Sequence, residues 1–175
     1  MLVDFCCMHM DCVSGCTMSK DEMTKELSAR NIKTAMVFYE YPLYRPVKSI
    51  EVVNGVYLIN GITYSSREGL VRIFIPDCYY RPFSNENMSN DNLYKLVKTL
   101  GGTVGIVGQP MFKNLKYDYA EITKDEVEAY NKNNKLRYFI GSRAMRQGNV
   151  GDFSKIASSE FKNIFDIGGV KLSEG

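Results

Sequence analysis

Between residues 33 and 83, short runs of β-branched and aromatic residues alternate with turn residues. Such runs are typical of β-strands, and Pro42 and Pro76 end two of them because proline cannot donate to a strand ladder. Asn54-Gly55 tolerates the positive φ angles of a type I′ turn, whereas Asn60-Gly61, six residues later, favours a bulge rather than a second turn. We therefore predict an antiparallel β meander over residues 33–83, with strands at 34–41, 47–53, 56–59 and 70–75.

Outside this region the spacing of apolar residues is typical of helices. Ser19-Lys20-Asp21-Glu22 matches a capping box and predicts a helix to about Arg30, and residues 123–126 repeat that pattern. An apolar stripe precedes Gly101 at Leu93, Leu96, Val97 and Leu100, and Asp152 can cap a last helix. Further strands are predicted at 103–107, 115–122 and 135–140. The fold class is therefore α+β, with three or four short amphipathic helices packed on the meander.

Length and composition are those of one globular domain. The 175 residues are 45% hydrophobic and 24% charged, and no linker-like tract interrupts them. We expect a Cys-rich N-terminal segment over residues 1–18, which can be flexible, followed by a single α+β domain over residues 19–175. The net charge of +2 is too small to indicate a partner.

The start of the chain lacks the basic and apolar regions of a secretory signal, and no window is apolar enough to cross a membrane. Four of the five cysteines lie between Cys6 and Cys16, whereas a disulfide framework would spread them. We expect an intracellular, reducing compartment, the cytoplasm, and no membrane partner. Abundant Lys, Asn, Ile and Tyr without Trp are typical of an AT-rich genome such as that of a phage or small virus.

The N-terminal cysteines form a candidate metal site. Its spacing, C-x2-H-x2-C-x3-C, equals that of an iron–sulfur ligand run with one His substituted, and its ligands also suit zinc; they are Cys6, His9, Cys12 and Cys16. However, four ligands within eleven residues leave little chain to wrap an ion, and cysteine is often simply buried. We favour burial or a disordered end, and expect no cofactor.

A basic and aromatic block near the C-terminus is a candidate nucleic-acid surface. No acidic residue occurs between Glu128 and Asp152. The cations can displace counterions from phosphates and the aromatic ring can stack on bases; the residues are Lys135, Arg137, Tyr138, Arg143 and Arg146. The alternative is a solvated face that pairs with the acidic block before it.

Two aromatic and basic tracts, residues 39–45 and 79–83, suit contact surfaces, and the matching tripeptides Tyr44-Arg45-Pro46 and Tyr80-Arg81-Pro82 each follow a predicted strand. Tyr and Arg are enriched where proteins bind proteins, so we take Tyr44, Arg45, Tyr80 and Arg81 as a candidate partner-binding surface. The alternative is that the Tyr side chains fill the core.

Catalytic groups are scarce in this sequence. His9 is the sole histidine, which leaves little basis for a triad. Cys78 beside Arg81 is better explained as a half-buried thiol than as a nucleophile, and Glu40 and Glu51 are candidate inward carboxylates that by default face solvent. The Gly-rich run 101–108 follows a helix and enters a strand, the reverse of a dinucleotide-binding fingerprint.

These patterns lead us to predict a small non-enzymatic binding protein, a regulatory or viral accessory factor. Its partner is expected to be a protein first and DNA or RNA second. The alternative hypothesis is a small, His-poor transferase or hydrolase that uses Tyr, Glu and Arg in a pocket, and a structural role is a third. The oligomeric state, the partner's identity and any reaction are left open.

Overall fold

The chain folds around one large mixed β-sheet. A computed structural model describes residues 2–41, 43–81, 88–108, 115–133, 138–140 and 155–156. The strands are β1 Leu2–Cys7, β2 Thr34–Glu40, β3 Val47–Lys48, β4 Ile50–Val53, β5 Val56–Ser66, β6 Gly69–Phe74, β7 Tyr79–Tyr80, β8 Thr103–Val107, β9 Tyr119–Ile122, β10 Tyr138–Ile140 and β11 Lys155–Ile156. The α-helices are α1 Lys20–Ala29, α2 Asn90–Thr99 and α3 Val127–Asn133, the last preceded by a 3-10 turn at Lys124–Glu126.

Three local sequence patterns adopt the structures that they predict. In the capping box of α1, Glu22 N–H donates to Ser19 Oγ and Ser19 N–H donates to Glu22 Oε2. Asn54 and Gly55 have φ angles of 50° and 74°, and Val53 pairs with Val56 across them, as a type I′ turn requires. Gly101, with a φ of 75°, follows α2. These three predictions are confirmed.

The order of strands in the large sheet is β10-β9-β8-β6-β5-β2-β1-β11, with β4 also paired to β5. Strands β1, β2 and β5 run parallel to one another, and so do β8, β9 and β10. Between the two groups, β6 is antiparallel to both β5 and β8. A separate two-stranded ladder pairs β3 with β7, and it places Tyr80 opposite Val47, the residue that follows Tyr44-Arg45-Pro46.

The predicted antiparallel meander is therefore only partly correct. Strand β5 pairs antiparallel with β4 through its first half and with β6 through its second half, as a meander would. Its other edge, however, pairs parallel with β2 along seven residues, from Thr34 to Glu40. Turn chemistry determines which strands form hairpins, but it does not determine which distant strand occupies the free edge. The fold is a mixed α/β sheet with three α-helices in the described part of the chain.

Smaller differences between the predicted and the observed elements have local causes. The predicted strand 47–53 is broken at Ser49, whose N–H donates to Cys78 O and whose Oγ accepts Cys78 N–H. Asn60-Gly61 is a regular part of β5, not a bulge, since β5 pairs with β2 without interruption from Tyr57 to Thr63. A Cβ on Gly61 would collide with the ring of Phe38 on β2. Of the predicted last helix, Lys155–Ile156 instead pairs antiparallel with β1; its remaining residues lie outside the described ranges.

Helices pack on one face of the sheet. Met23 and Leu27 of α1, Leu93 and Val97 of α2 and Tyr130 of α3 share a core with alternate strand residues. The sheet residues in that core include Ala35, Val37, Leu58, Val71, Ile73, Val104, Ile106, Ala120 and Ile122. Within the described ranges, no helix is long and apolar enough to cross a membrane.

The opposite face of the sheet holds a buried charged pair. Arg72 donates from Nε to Glu121 Oε2 over 2.8 Å and from Nη1 to Thr63, while its guanidinium lies 5.0 Å from the ring centre of Phe38. The ring of Tyr119 lies so close to Gly105 that a Cβ there would collide with it. On this face, aromatic rings pack directly over glycines, Phe38 over Gly61 and Tyr119 over Gly105.

Candidate functional site

A pocket of about 560 Å³ lies where the parallel strands β1 and β2 end. Its lining comes from the loop after β1, from the end of β2 and from the segment that follows β2: Met10, Asp11, Cys12, Val13, Ser14, Tyr39, Glu40, Tyr41, Leu43, Tyr44, Arg45 and Val47. The carboxyl ends of parallel strands are where α/β folds commonly bind ligands. We call this cavity the β2 pocket.

The loop after β1 is fixed to its surroundings by backbone hydrogen bonds. Met10 N–H donates to Met18 O over 2.9 Å, and Glu40 N–H donates to Cys12 O over 2.8 Å. Cys12 Sγ both donates to His9 O and accepts from His9 N–H, each over 3.0 Å. Burial raises the pKa of the Cys12 thiol to about 12, so the thiol is protonated and suited to donate. One wall of the pocket is therefore built on β2.

His9 lies beneath this wall and is completely buried. Its ring packs edge-to-face against the Tyr39 ring, with centroids 5.4 Å apart, and Nε2 lies 3.2 Å from Tyr39 Oη. The other nitrogen, Nδ1, accepts Asp11 N–H over 3.2 Å. Burial, followed by the nearby charge of Lys20, lowers the pKa of His9 from 6.5 to about 4. His9 is therefore a neutral ring at pH 7.

The rim of the β2 pocket carries charged and aromatic groups. Arg45 Nη2 donates to Asp11 Oδ2 over 2.6 Å, and both side chains are about half exposed or more. Glu40 is exposed at the end of β2, and Tyr44 beside Arg45 is 97% exposed. A guanidinium can bind an anionic oxygen, a carboxylate can accept a proton, and an exposed ring can stack on a flat ligand. These groups together suit an anionic ligand that carries a ring.

The four residues predicted to bind a partner do not share one environment. Tyr44 and Arg45 lie at the rim of the β2 pocket, and Arg81 is exposed. Tyr80 is buried, and its hydroxyl accepts Ile75 N–H over 2.8 Å, whereas the prediction assumed an exposed ring. Tyr80 therefore follows the alternative of a core side chain. Partner binding through the other three stays a prediction.

The predicted nucleic-acid surface falls largely outside the described residues. This applies to Lys135, Arg137, Arg143 and Arg146. Tyr138 lies in β10, half-buried, with its ring centroid 5.6 Å from that of Tyr130. The role of this set stays a prediction.

The predicted metal site also stays a prediction. The Cys12 thiol bonds to the His9 backbone, and the Cys16 thiol lies 3.9 Å from Met18 O. The side chain of Cys6 lies outside the described part. Among the side chains that are described, no three His, Cys, Asp or Glu residues converge to hold an ion.

Other candidates take ordinary structural positions. Cys78 is half-buried as expected, and burial raises the pKa of its thiol instead of Arg81 lowering it. Glu51 pairs with Lys20 over 2.8 Å and accepts Asn60 Nδ2–H over 3.2 Å. Sequence reasoning identified Tyr39, Glu40, Tyr44 and Arg45 within one aromatic and basic tract. It missed Asp11, since no local pattern indicates that the loop after β1 meets the end of β2.

Comparisons with known proteins show a shared fold. No protein-family model matches the chain, and no curated protein matches it by sequence. The lesion-specific endonuclease PfuEndoQ from Pyrococcus furiosus superposes with a TM-score of 0.63 at 13% identity, covering 96% of this chain and 56% of that one. Endonuclease Q bound to a 27-mer duplex with an abasic lesion at the active site gives 0.55 at 12% identity, covering 83% and 49%.

PsfC from Pseudomonas syringae PB-5123 is a third neighbour, with a TM-score of 0.58 at 14% identity, covering 86% of this chain and 78% of PsfC. The chain spans about half the length of the endonuclease Q chains that it matches. At such identities the likeness concerns the fold alone, a mixed α/β domain.

This likeness contradicts the prediction of a non-enzymatic binding protein, because two of the structures that share the fold are endonucleases. It favours the alternative hypothesis, an enzyme that uses Tyr, Glu and Arg in a pocket. The β2 pocket contains all three residue types. The prediction was wrong because it equated a shortage of histidine with a lack of chemistry.

Proposed function

We propose that the chain is a hydrolase of phosphodiester bonds in nucleic acid, with the β2 pocket as its active site. The observation that carries this proposal is the meeting of Arg45, Asp11 and Glu40 around one pocket, in a fold shared with two endonuclease structures. The substrate named for endonuclease Q, a duplex with an abasic lesion, makes nucleic acid the first class to test.

Arg45 is the proposed phosphate-binding residue. Its Nη2 donates a hydrogen bond to Asp11, and a guanidinium has five N–H donors. Arg45 can therefore bind a phosphate while it stays hydrogen-bonded to the carboxylate of Asp11. Hydrogen bonds to charged groups are worth about 1.5–3 kcal/mol, so we expect Arg45→Ala to reduce kcat/KM about 10- to 100-fold.

Asp11 and Glu40 are the proposed carboxylates of the reaction. In the hydrolysis the water oxygen forms a bond to phosphorus and one ester P–O bond breaks. A base takes a proton from the attacking water, and the leaving oxygen takes a proton from solvent. Glu40 is exposed and able to reach solvent at the end of β2, whereas Asp11 is already paired with Arg45. We therefore assign the role of base to Glu40 and that of orienting Arg45 to Asp11.

Tyr44 supplies a stacking surface next to the cation. Its side chain is 97% exposed, so both faces of the ring are accessible to a base. Stacking of a base on an aromatic ring is worth about 1–3 kcal/mol. We expect Tyr44→Ala to raise KM for an oligonucleotide and to leave kcat nearly unchanged, because stacking does not involve the reacting atoms.

The experiment is a cleavage assay with labelled oligonucleotides. Single-stranded DNA, duplex DNA and duplex DNA with one abasic site are incubated with the purified chain, in Mg²⁺, in Mn²⁺ and in EDTA. Arg30→Ala is the matched control for Arg45→Ala, because Arg30 forms a similar surface pair with Glu26 on α1, outside the pocket. We expect cleavage that Arg45→Ala and Glu40→Gln reduce and Arg30→Ala does not. Absence of cleavage in every condition, or equal loss in the two Arg variants, contradicts the proposal.

A further inference from the structure

The two ring nitrogens of His9 have different partners. Nδ1 lies 3.2 Å from the backbone nitrogen of Asp11, and that N–H can only donate. Nδ1 must therefore accept with its lone pair. A neutral imidazole carries one proton, so in this ring the proton resides on Nε2. The hydrogen-bond pattern thereby fixes the tautomer of His9.

That tautomer determines what the Tyr39 hydroxyl can do. His9 Nε2 lies 3.2 Å from Tyr39 Oη, so the Nε2 proton is donated to the phenol oxygen. The hydroxyl proton of Tyr39 cannot then point at His9. It is left for another acceptor, and Tyr39 lines the β2 pocket.

We infer that Tyr39 donates a hydrogen bond from its hydroxyl to an anionic oxygen of the ligand in the β2 pocket, and that His9 is the positioning residue for this donor. The identity of the ligand, a phosphate group, rests on the proposed function, whereas the hydrogen-bond assignment does not. Burial raises the pKa of Tyr39, so the phenol keeps its proton at neutral pH and acts as a donor, not as a nucleophile.

The charged groups near Tyr39 are Arg45, which is positive, and Asp11 and Glu51, which are negative and are paired with Arg45 and Lys20, respectively. Arg45 lines the same pocket and brings a permanent positive charge, and one neutral donor beside one cation is a common arrangement around a phosphate oxygen. His9 contributes no charge of its own, because it is buried and neutral. Its contribution is directional: it holds the phenol oxygen and turns the hydroxyl proton towards the pocket.

The tautomer is measured by NMR on protein labelled with ¹⁵N in the histidine ring. Since His9 is the sole histidine, its two ring nitrogens give one unambiguous pair of signals. We expect a protonated Nε2 and an unprotonated Nδ1 at pH 7. A proton on Nδ1 overturns the inference and leaves the proposed function untouched.

Binding is then measured by titration with inorganic phosphate. We expect Tyr39→Phe to weaken binding about tenfold, because it removes one hydrogen bond and keeps the ring. His9→Gln, whose amide can still donate to Tyr39 Oη, should stay within about threefold of the unmodified chain, whereas His9→Leu should match Tyr39→Phe. The matched control is Tyr64→Phe, since Tyr64 is also buried and its hydroxyl accepts Met88 N–H outside the pocket.

The outcomes separate the two proposals. Unchanged phosphate binding in Tyr39→Phe, while Arg45→Ala weakens it, overturns this inference alone. Failure of the unmodified chain to bind phosphate overturns both. A His9→Leu, Tyr39→Phe double variant that binds clearly more weakly than Tyr39→Phe also contradicts the inference, because a positioning residue acts only through the group that it positions.

Discussion

Protonation of His9 should destabilise the fold in a pH range that can be measured. The ring is completely buried, one nitrogen accepts Asp11 N–H, and the other contacts Tyr39 Oη. Adding a second proton would place a charge in a buried site and replace the acceptor at Nδ1 by a donor facing another donor. The charged groups that influence it are Lys20, Asp11, Glu51 and Arg45, and their effects partly cancel.

The pKa values give the size and the sign of the effect. Burial lowers the pKa of His9 from 6.5 to about 4 in the folded chain, so between these values the unfolded chain binds more protons than the folded one. Stability therefore reaches its full value above pH 6.5 and falls as the pH drops towards 4. The loss approaches about 3 kcal/mol, and most of it is expected by pH 4.5.

Urea unfolding, followed by circular dichroism between pH 7.5 and 4.5, measures this loss. His9→Gln is the comparison, because Gln keeps a donor for Tyr39 but does not titrate. Carboxylates that titrate in the same range are present in both chains, so the difference between the two pH profiles isolates His9. We expect the unmodified chain to lose about 2 kcal/mol more than His9→Gln between pH 6.5 and 4.5. Parallel profiles would refute the reasoning.

Three further predictions concern the fold. Gly105→Ala should destabilise the chain by more than about 2 kcal/mol in urea unfolding, because the new Cβ collides with the ring of Tyr119, and Tyr119→Ala should remove most of that penalty. Arg72→Ala should cost about 3–5 kcal/mol, since it leaves the carboxylate of Glu121 buried without its bidentate partner. Ser19→Ala should cost about 1 kcal/mol, because it opens the capping box of α1.

Each has an internal control. Arg72→Met with Glu121→Leu removes both charges and should cost less than Arg72→Ala. Ser89→Ala removes a weaker cap, whose bond to Asn92 N–H is 3.4 Å long, and should cost less than Ser19→Ala. The packing account of Gly105 fails if the Gly105→Ala penalty is the same with and without the Tyr119 ring.

The residues of the candidate site show where sequence reasoning stops. Tyr39, Glu40, Tyr44 and Arg45 lie in one continuous tract, and the sequence marks that tract as a contact surface. Asp11 and His9 lie some thirty residues earlier, in a segment whose pattern suggested either a metal site or a disordered end. The hydrogen bond from Glu40 N–H to Cys12 O joins the two segments, and no local pattern encodes it.

The sequence by itself determined the local elements: the capped start of α1, the Asn54-Gly55 turn and the glycine that ends α2. Those features depend on backbone angles and hydrogen bonds within a few residues, so the residue types are sufficient. Only the tertiary structure decided that β2 lies parallel to β5, that β1 lies next to β2, and that the loop after β1 closes the β2 pocket. The physical reason is that the edge of a strand offers the same N–H and C=O groups to any partner, so pairing across long separations is selected by the packing of the whole sheet.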